Sequence, residues 1–174
     1  MYPQLTRFRH LIAALALCLG MSLTFAVGTQ AASAATPTLS QRYAATVLTA
    51  LNRERTANHL PSLTMNSMLI KSAHAHNLTM ARFNLMSHQL PGEAFFATRI
   101  QRAGYHWTYA GENVAWNSSI SLDGLLYLQR VMYNEKAPNN GHRLNILSKS
   151  FRNVGIDVCI DNVHHKVWLT QDFG

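Results

Sequence analysis

Apolar residues recur along this chain first at a helical spacing and later at an alternating one. Ala44, Val47, Leu48 and Leu51 stand at i, i+3, i+4 and i+7, which predicts a helix from Ser40 with one buried stripe. Pro61 closes the connection that follows, and Asn66 is placed to cap a second helix. On that helix Leu69, Ala73, His76, Met80 and Phe83 share a face, so His76 is expected to be a hydrogen-bonded core residue. His74 lies off the stripe. The helix is expected to end near Asn84 and to deliver His88 just beyond. A third helix is expected from Pro91-Gly92, burying Phe96, Ile100 and Ala103 and stopped by Gly104 in a left-handed conformation. A fourth is expected over residues 122–135, with Leu128, Met132 and Glu135 at i, i+4 and i+7. A carboxylate at the end of that stripe sits badly with the helix dipole, so its head either escapes to solvent or enters a cavity.

The spacing then changes. Asn113 to Trp116 reads as a short strand. Val154, Ile156, Val158 and Ile160 alternate with Gly155, Asp157 and Cys159, Asp161-Asn162 offers a two-residue turn, and residues 163–173 return with Trp168 opposite Val167 and Leu169. Helices first and a C-terminal hairpin last predict an α+β layered domain with an antiparallel sheet.

The first residues read as an address. Arg7, Arg9 and His10 precede an apolar run over residues 11–27, and Ala32-Ser33-Ala34 supplies the small-x-small pattern of a cleavage site. The competing reading is an uncleaved anchor, because the run is nearly long enough to span a bilayer. The cleavage site at the right distance favours removal. The expected organisation is a signal peptide over 1–34, a short linker over 35–40 and one domain over 41–174. Removing 34 of 174 residues leaves 140, enough for a self-sufficient core. Removing Arg7 and Arg9 from 15 Lys and Arg leaves 13 against 8 Asp and Glu, a net charge of +5. Those charges are scattered, which gives no nucleic-acid footprint. Cys18 leaves with the signal, so Cys159 has no disulfide partner. Its apolar surroundings suit a buried small hydrophobe better than a nucleophile.

The candidate chemistry lies in three segments. Met86-Ser87-His88, Gly111-Glu112-Asn113 and Gly141-His142-Arg143-Leu144-Asn145-Ile146-Leu147 each put a polar group beside a turn. Two imidazoles can hold a borderline divalent cation such as zinc, with a carboxylate or water completing four ligands. A carboxylate could then serve as a base toward a metal-bound water. A polar core network without turnover stays equally open, with Asn113, Arg143 and Asn145 as structural donors. No His-Glu-x-x-His helix and no Gly-x-Ser-x-Gly elbow occurs.

Together with Leu51-Asn52-Arg53-Glu54-Arg55, Val154-Gly155-Ile156 and Trp168-Leu169-Thr170-Gln171-Asp172-Phe173-Gly174, these segments resemble the CAP superfamily of cysteine-rich secretory, antigen 5 and pathogenesis-related 1 proteins, in its bacterial form. The resemblance implies an α/β/α three-layer sandwich, export, and a cavity of two histidines and two acids. Carried onto this chain, the metal-binding pair is His88 and His142, and the acidic, candidate catalytic pair is Glu112 and Glu135. The animal and plant members are disulfide-bonded and this chain is not, so their sterol-binding and signalling roles are not carried over. Two functions follow as expectations. One is a monomeric, secreted or periplasmic module that binds a small lipid, peptide or envelope component, with zinc or another divalent metal and no organic cofactor. The alternative is a metal-assisted hydrolase of an envelope or extracellular substrate. Neither requires nucleic acid or stable membrane insertion after cleavage.

The processing expectation is checked by intact-mass measurement of exported protein. The mass should correspond to a chain beginning at Ala35. A retained, lipid-modified Cys18 would contradict it.

Overall fold

The computed structural model describes residues 36–174, so the signal-peptide assignment, Cys18 and Ala35 lie outside the described residues. Helix α1 (Leu39–Ala57) opens two residues inside the expected linker. Thr38 caps it, accepting from the Gln41 amide while Gln41 Oε1 accepts from Thr38 N–H, a reciprocal box that satisfies two free helix-end donors. The predicted stripe is the buried one: Ala44, Val47 and Leu51 face inward. Strand β1 (Thr64–Met65) follows, then α2 (Ser67–Phe83), α3 (Phe96–Arg102), β2 (Gly111–Asn117), α4 (Leu122–Tyr133), α5 (Gly141–Ile146), β3 (Asn153–Asp161) and β4 (Lys166–Phe173). Asn66 caps α2 as predicted, accepting from Met68 and Leu69 N–H, and Asn84 ends it in a left-handed conformation at φ 49°.

The sheet runs β1-β3-β4-β2, with β3, β4 and β2 antiparallel and the two-residue β1 added in parallel at the edge. Strand register assigns the two faces. Val154, Ile156, Val158, Leu169, Gln171, Phe173, Asn113 and Ala115 share one face; Gly155, Asp157, Thr170, Asp172, Glu112 and Val114 share the other. The first face packs under α1, α4 and α5 in the larger apolar cluster. The second lies under α2 and α3. There Asn77 on α2 donates to the Asp157 carboxylate and accepts from Thr170, and Met80 joins Val114 and Trp168 in a smaller cluster. Helices on both faces make the three-layer α/β/α sandwich.

Several boundaries differ from the sequence expectation. The third helix begins at Phe96, and Pro91-Gly92 forms a turn ahead of it, with Gly92 at φ 80°. Phe83 is the last residue of α2 and is exposed, with the Arg82 guanidinium 5.4 Å from its ring. The hairpin turn spans residues 162–165, because the ladder closes at Asp161 opposite Lys166. Asp161 builds that turn by accepting from the N–H of Val163 and His164, from His164 Nδ1 and from Trp168 Nε1. Burial alone would raise its carboxyl, but those donors outweigh it and lower the pKa to about 2. Helix α4 ends at Tyr133, so Glu135 stands in the loop beyond it and not on a helical stripe.

Gly155 sets how closely α2 approaches the sheet. A Cβ there would lie 2.1 Å from the Leu69 carbonyl carbon and 2.2 Å from the Ile70 nitrogen. Both are backbone atoms, so the helix itself would have to lift. Gly155→Ala should therefore cost at least the ~1–3 kcal/mol typical of overpacking. Urea unfolding measures this as a lower midpoint at similar slope; a wild-type midpoint would contradict the packing described.

Candidate functional site

His88, Glu112, Glu135 and His142 line one open groove of about 580 Å³, together with Asn139, Gly141, Leu144 and Asn145. A larger, mostly apolar cavity of about 650 Å³ lies between α1, α2 and β3, but it contains none of these four residues. Volume is thus a poorer guide here than convergent polar chemistry.

The His88 half is built around a buried carboxylate. The left-handed stop at Asn84 turns the chain off α2 and carries His88 to the rim, where its side chain is half exposed. Its Nδ1 lies 2.9 Å from Glu112 Oε1. Glu112 sits on β2 with its side chain fully buried, and its other oxygen pairs with the Arg99 guanidinium from α3. Arg99 also donates to the main-chain oxygens of His88 and Ala94, each at 2.9 Å, so one cation fixes both the carboxylate and the loop that carries the histidine. Behind them, His76 is buried with Nδ1 3.0 Å from both Glu93 oxygens, and its Nε2 lies 3.9 Å from Glu112. Asp172, directly across the ladder from Glu112, is buried with neither oxygen hydrogen-bonded. Burial first and the Glu112 charge second push its carboxyl well above the ordinary range, while the Arg99 charge pulls the other way.

The His142 half uses a helix end. Glu135 Oε1 lies 2.5 Å from His142 Nδ1, and Oε2 accepts from the N–H of His142 at 3.0 Å and of Arg143 at 3.4 Å. These are free donors of the first turn of α5, where a negative charge is favoured. The charge that looked misplaced at the end of α4 is thus well placed at the start of α5. Arg143 donates to the Tyr133 carbonyl and stacks 4.5 Å from the Tyr133 ring, which ties α5 to the end of α4. Asn113 donates to the His142 carbonyl at 3.2 Å, and Asn145 to the Glu112 carbonyl at 3.2 Å and to Asn113 Oδ1 at 2.9 Å. Arg55, fully buried, reaches from α1 to the carbonyls of Ile146 at 2.7 Å and Ser148 at 2.9 Å and holds the C-terminal end of α5.

The two halves share one local chemistry. A carboxylate only accepts, so each imidazole facing one through Nδ1 carries a proton there, and in its neutral form has its lone pair on Nε2. That is how metal-binding histidines are usually oriented, with the outer nitrogen held by a carboxylate. The carboxylates are thereby engaged behind the imidazoles, and among the described residues no group of three or more His, Cys, Asp or Glu is arranged to hold a metal ion. A cation held by both imidazoles would therefore take its remaining ligands from water or from oxygens of the bound molecule.

The remaining candidates stay apart from the groove. His74 pairs with Asp157 at 3.1 Å, and His164 is tied to Asp161. Cys159 is half-buried, and burial, then Asp157 and Asp161, raise its thiol to about 11, so it is no nucleophile at neutral pH. Sequence reasoning missed Arg99, Glu93 and Asp172. For Asp172 the available signal was Thr170-Gln171-Asp172, three adjacent polar residues in a strand that is otherwise apolar after Lys166.

The CAP family model, described as the cysteine-rich secretory protein family, matches residues 48–173. Curated protein sequences yield no match. Among solved structures, the fold is similar to an extracellular protein containing an SCP domain from Bacillus anthracis str. Ames (26% identity, TM-score 0.66, 81% of this chain). This chain spans only 44% of that protein's length. It is also similar to an outer surface protein from Borrelia burgdorferi (15% identity, TM-score 0.66, 77% of this chain and 92% of that one). A third is NaASP2, solved with Zn2+ (12% identity, TM-score 0.56, 78% and 80% covered). The first two are extracellular or outer-surface proteins. Among the described residues no helix is long and apolar enough to cross a membrane.

Removing the Arg99 guanidinium leaves the Glu112 carboxylate buried beside Asp172. Arg99→Met should cost about 3–5 kcal/mol, the usual penalty for stranding a buried charge. Adding Glu112→Gln should recover part of it. Chemical unfolding of the single and double variants checks both; a single variant within ~0.5 kcal/mol of wild type would contradict the pairing.

Proposed function

This chain belongs to the cysteine-rich secretory protein (CAP) family, and on that premise we propose that it is an exported binding module whose groove takes a small lipid, peptide or cell-envelope component, with His88 and His142 as a divalent-metal pair. The observation that carries the reading is the matched pair of imidazoles, each anchored through Nδ1 on a carboxylate. The donor set suits zinc, a borderline cation that favours imidazole nitrogen. Bound there, the metal would supply a cationic anchor for an oxygen of the ligand. The protein's own part is orientation. Glu112 and Glu135 hold the rings, while Asn139 and the exposed Leu144 offer a polar and an apolar contact along the same wall.

The hydrolase reading asks for a carboxylate with a free oxygen turned toward the groove. Glu112 is fully buried and occupied by His88 and Arg99, and both Glu135 oxygens are used by α5 and His142. That arrangement supports holding a ligand more than moving its protons. Export rests on the N-terminal pattern of Arg7, Arg9, residues 11–27 and Ala32-Ser33-Ala34.

Zinc should raise the thermal midpoint of the protein, because a ligand specific to the native state adds RT ln(1 + [L]/Kd), about 2.7 kcal/mol at a hundredfold excess over Kd. The gain should fade as pH falls and protons compete with the metal for Nε2. His88→Ala and His142→Ala should each abolish it, and His74→Ala should not. Equal stabilisation of wild type and the His88→Ala, His142→Ala double variant would refute the assignment and point to His164 and His165.

A further inference from the structure

A line of side-chain amides crosses the α1 face of the sheet. Asn145 Nδ2 donates to Asn113 Oδ1 at 2.9 Å, Asn113 Nδ2 to Gln171 Oε1 at 3.1 Å, and Gln171 Nε2 to Gln129 Oε1 at 2.6 Å. Gln129 Nε2 then donates to Glu54 Oε2 at 2.6 Å. The line takes one residue each from α5, β2, β4, α4 and α1, and its three central amides are fully buried. Every amide donates in the same sense, toward Glu54.

That common direction has a cause at one end. An ionised carboxylate only accepts, so Glu54 fixes Gln129 with nitrogen toward α1 and oxygen toward Gln171. Gln171 and Asn113 must then orient likewise. At the far end, Asn113 Nδ2 also donates to the His142 carbonyl, and Asn145 Nδ2 to the Glu112 carbonyl. In the reversed orientation Asn113 Oδ1 would oppose the His142 carbonyl, acceptor against acceptor, inside a buried site where an unmet group costs about 1–3 kcal/mol.

We propose that Glu54 is a positioning residue for the groove: its carboxylate sets the direction of the amide line, and the line holds the His142 and Glu112 backbones in register. The consequence for ligand binding rests on the groove function proposed above, whereas the amide line can be followed with no ligand present. Burial pushes the Glu54 carboxyl up to about 7, against the opposing pull of the Gln129 bond and the Arg143 charge. Glu54 therefore changes charge near neutrality. The groups around it are Gln129 and Tyr133 on α4, Arg143 on α5, and on its own helix Arg53 and the cap Asn58, whose Nδ2 bridges the Glu54 carbonyl and Tyr133 hydroxyl. Protonation turns a charge-assisted bond into a neutral one of about half the strength.

The test follows the side-chain amide resonances of Asn113, Gln129, Asn145 and Gln171 by 15N NMR in metal-free protein, from about pH 5 to about pH 8. In the wild type all four should share one midpoint near 7. In Glu54→Gln, which keeps an oxygen acceptor but cannot ionise, that shared step should vanish while the spectrum stays folded. Gln129→Met breaks the line in its middle. Asn113 and Asn145 should then stop following the Glu54 titration, and this variant decides alone if Glu54→Gln does not fold. Identical titration of Asn113 and Asn145 in wild type and either variant would overturn the proposal, because His142 itself would then be the source. Absence of zinc binding by the wild type would count against the groove reading alone.

Discussion

Burying the Glu112 carboxylate is the constraint around which the domain is arranged. An ion taken out of water costs several kcal/mol unless it is paired and hydrogen-bonded. The side chain is wholly buried, so the surroundings must make that good. Arg99 brings a guanidinium from α3, and His88 brings Nδ1 from the loop after α2. Asp172, directly across the ladder, shares the same low-dielectric region, and its carboxyl is driven upward by burial and by Glu112. A second fixed anion beside the first would raise the cost further. The α2 layer, the sheet and the α3 segment are thus held in mutual register by one charge and its partners. The close seat of Leu69 and Ile70 on Gly155 brings α2 near enough to take part.

The two sides of the groove reach the same imidazole geometry by different physics. On the His88 side the anchor is a buried ion pair, rigid but expensive. On the His142 side it is a partly exposed carboxylate seated on the free donors of a short helix, where α5 offers N–H groups that have no partner within the helix. Arg55 holds that helix from α1 through the carbonyls of Ile146 and Ser148 at its C-terminal end, and Arg143 ties it to the Tyr133 carbonyl at the end of α4. The outcome is two rings that line the groove with Nδ1 occupied by a carboxylate. A pair of preoriented rings loses little freedom on binding, which is the physical support for the recognition role proposed above.

Much of the fold was legible because periodicity reports burial directly. The stripe of α1, the Asn66 cap and Asn84 end of α2, and the alternation in β3 all appear where the pattern put them. What escaped was set by tertiary contact. Glu135 fits a helical stripe at i+7 from Leu128, yet α4 stops at Tyr133 because the next residues are drawn to α5. Spacing shows which residues share a helix face; it does not show where the chain leaves the helix. The hairpin turn was misplaced because Asp161 satisfies its own loop through side-chain bonds that mimic a tighter turn. The two-residue β1 pairs in parallel and has no alternation to reveal it. The four groove residues came from family resemblance together with their turn-adjacent positions. Arg99, which pairs with Glu112, carries no local motif, and Asp172 lies in a segment that carries the resemblance, whose spacing alone does not place it opposite Glu112.

The central claim is that His88 and His142 present Nε2 to the groove because their Nδ1 protons are held by Glu112 and Glu135. Long-range 1H–15N correlation of the neutral imidazole rings in metal-free protein reads this directly. The account predicts that both rings carry the proton on Nδ1 and have unprotonated Nε2, and that zinc addition shifts the Nε2 resonances while the Nδ1 protons remain. Nε2-protonated rings at either position, or zinc displacing a carboxylate from Nδ1, would contradict it.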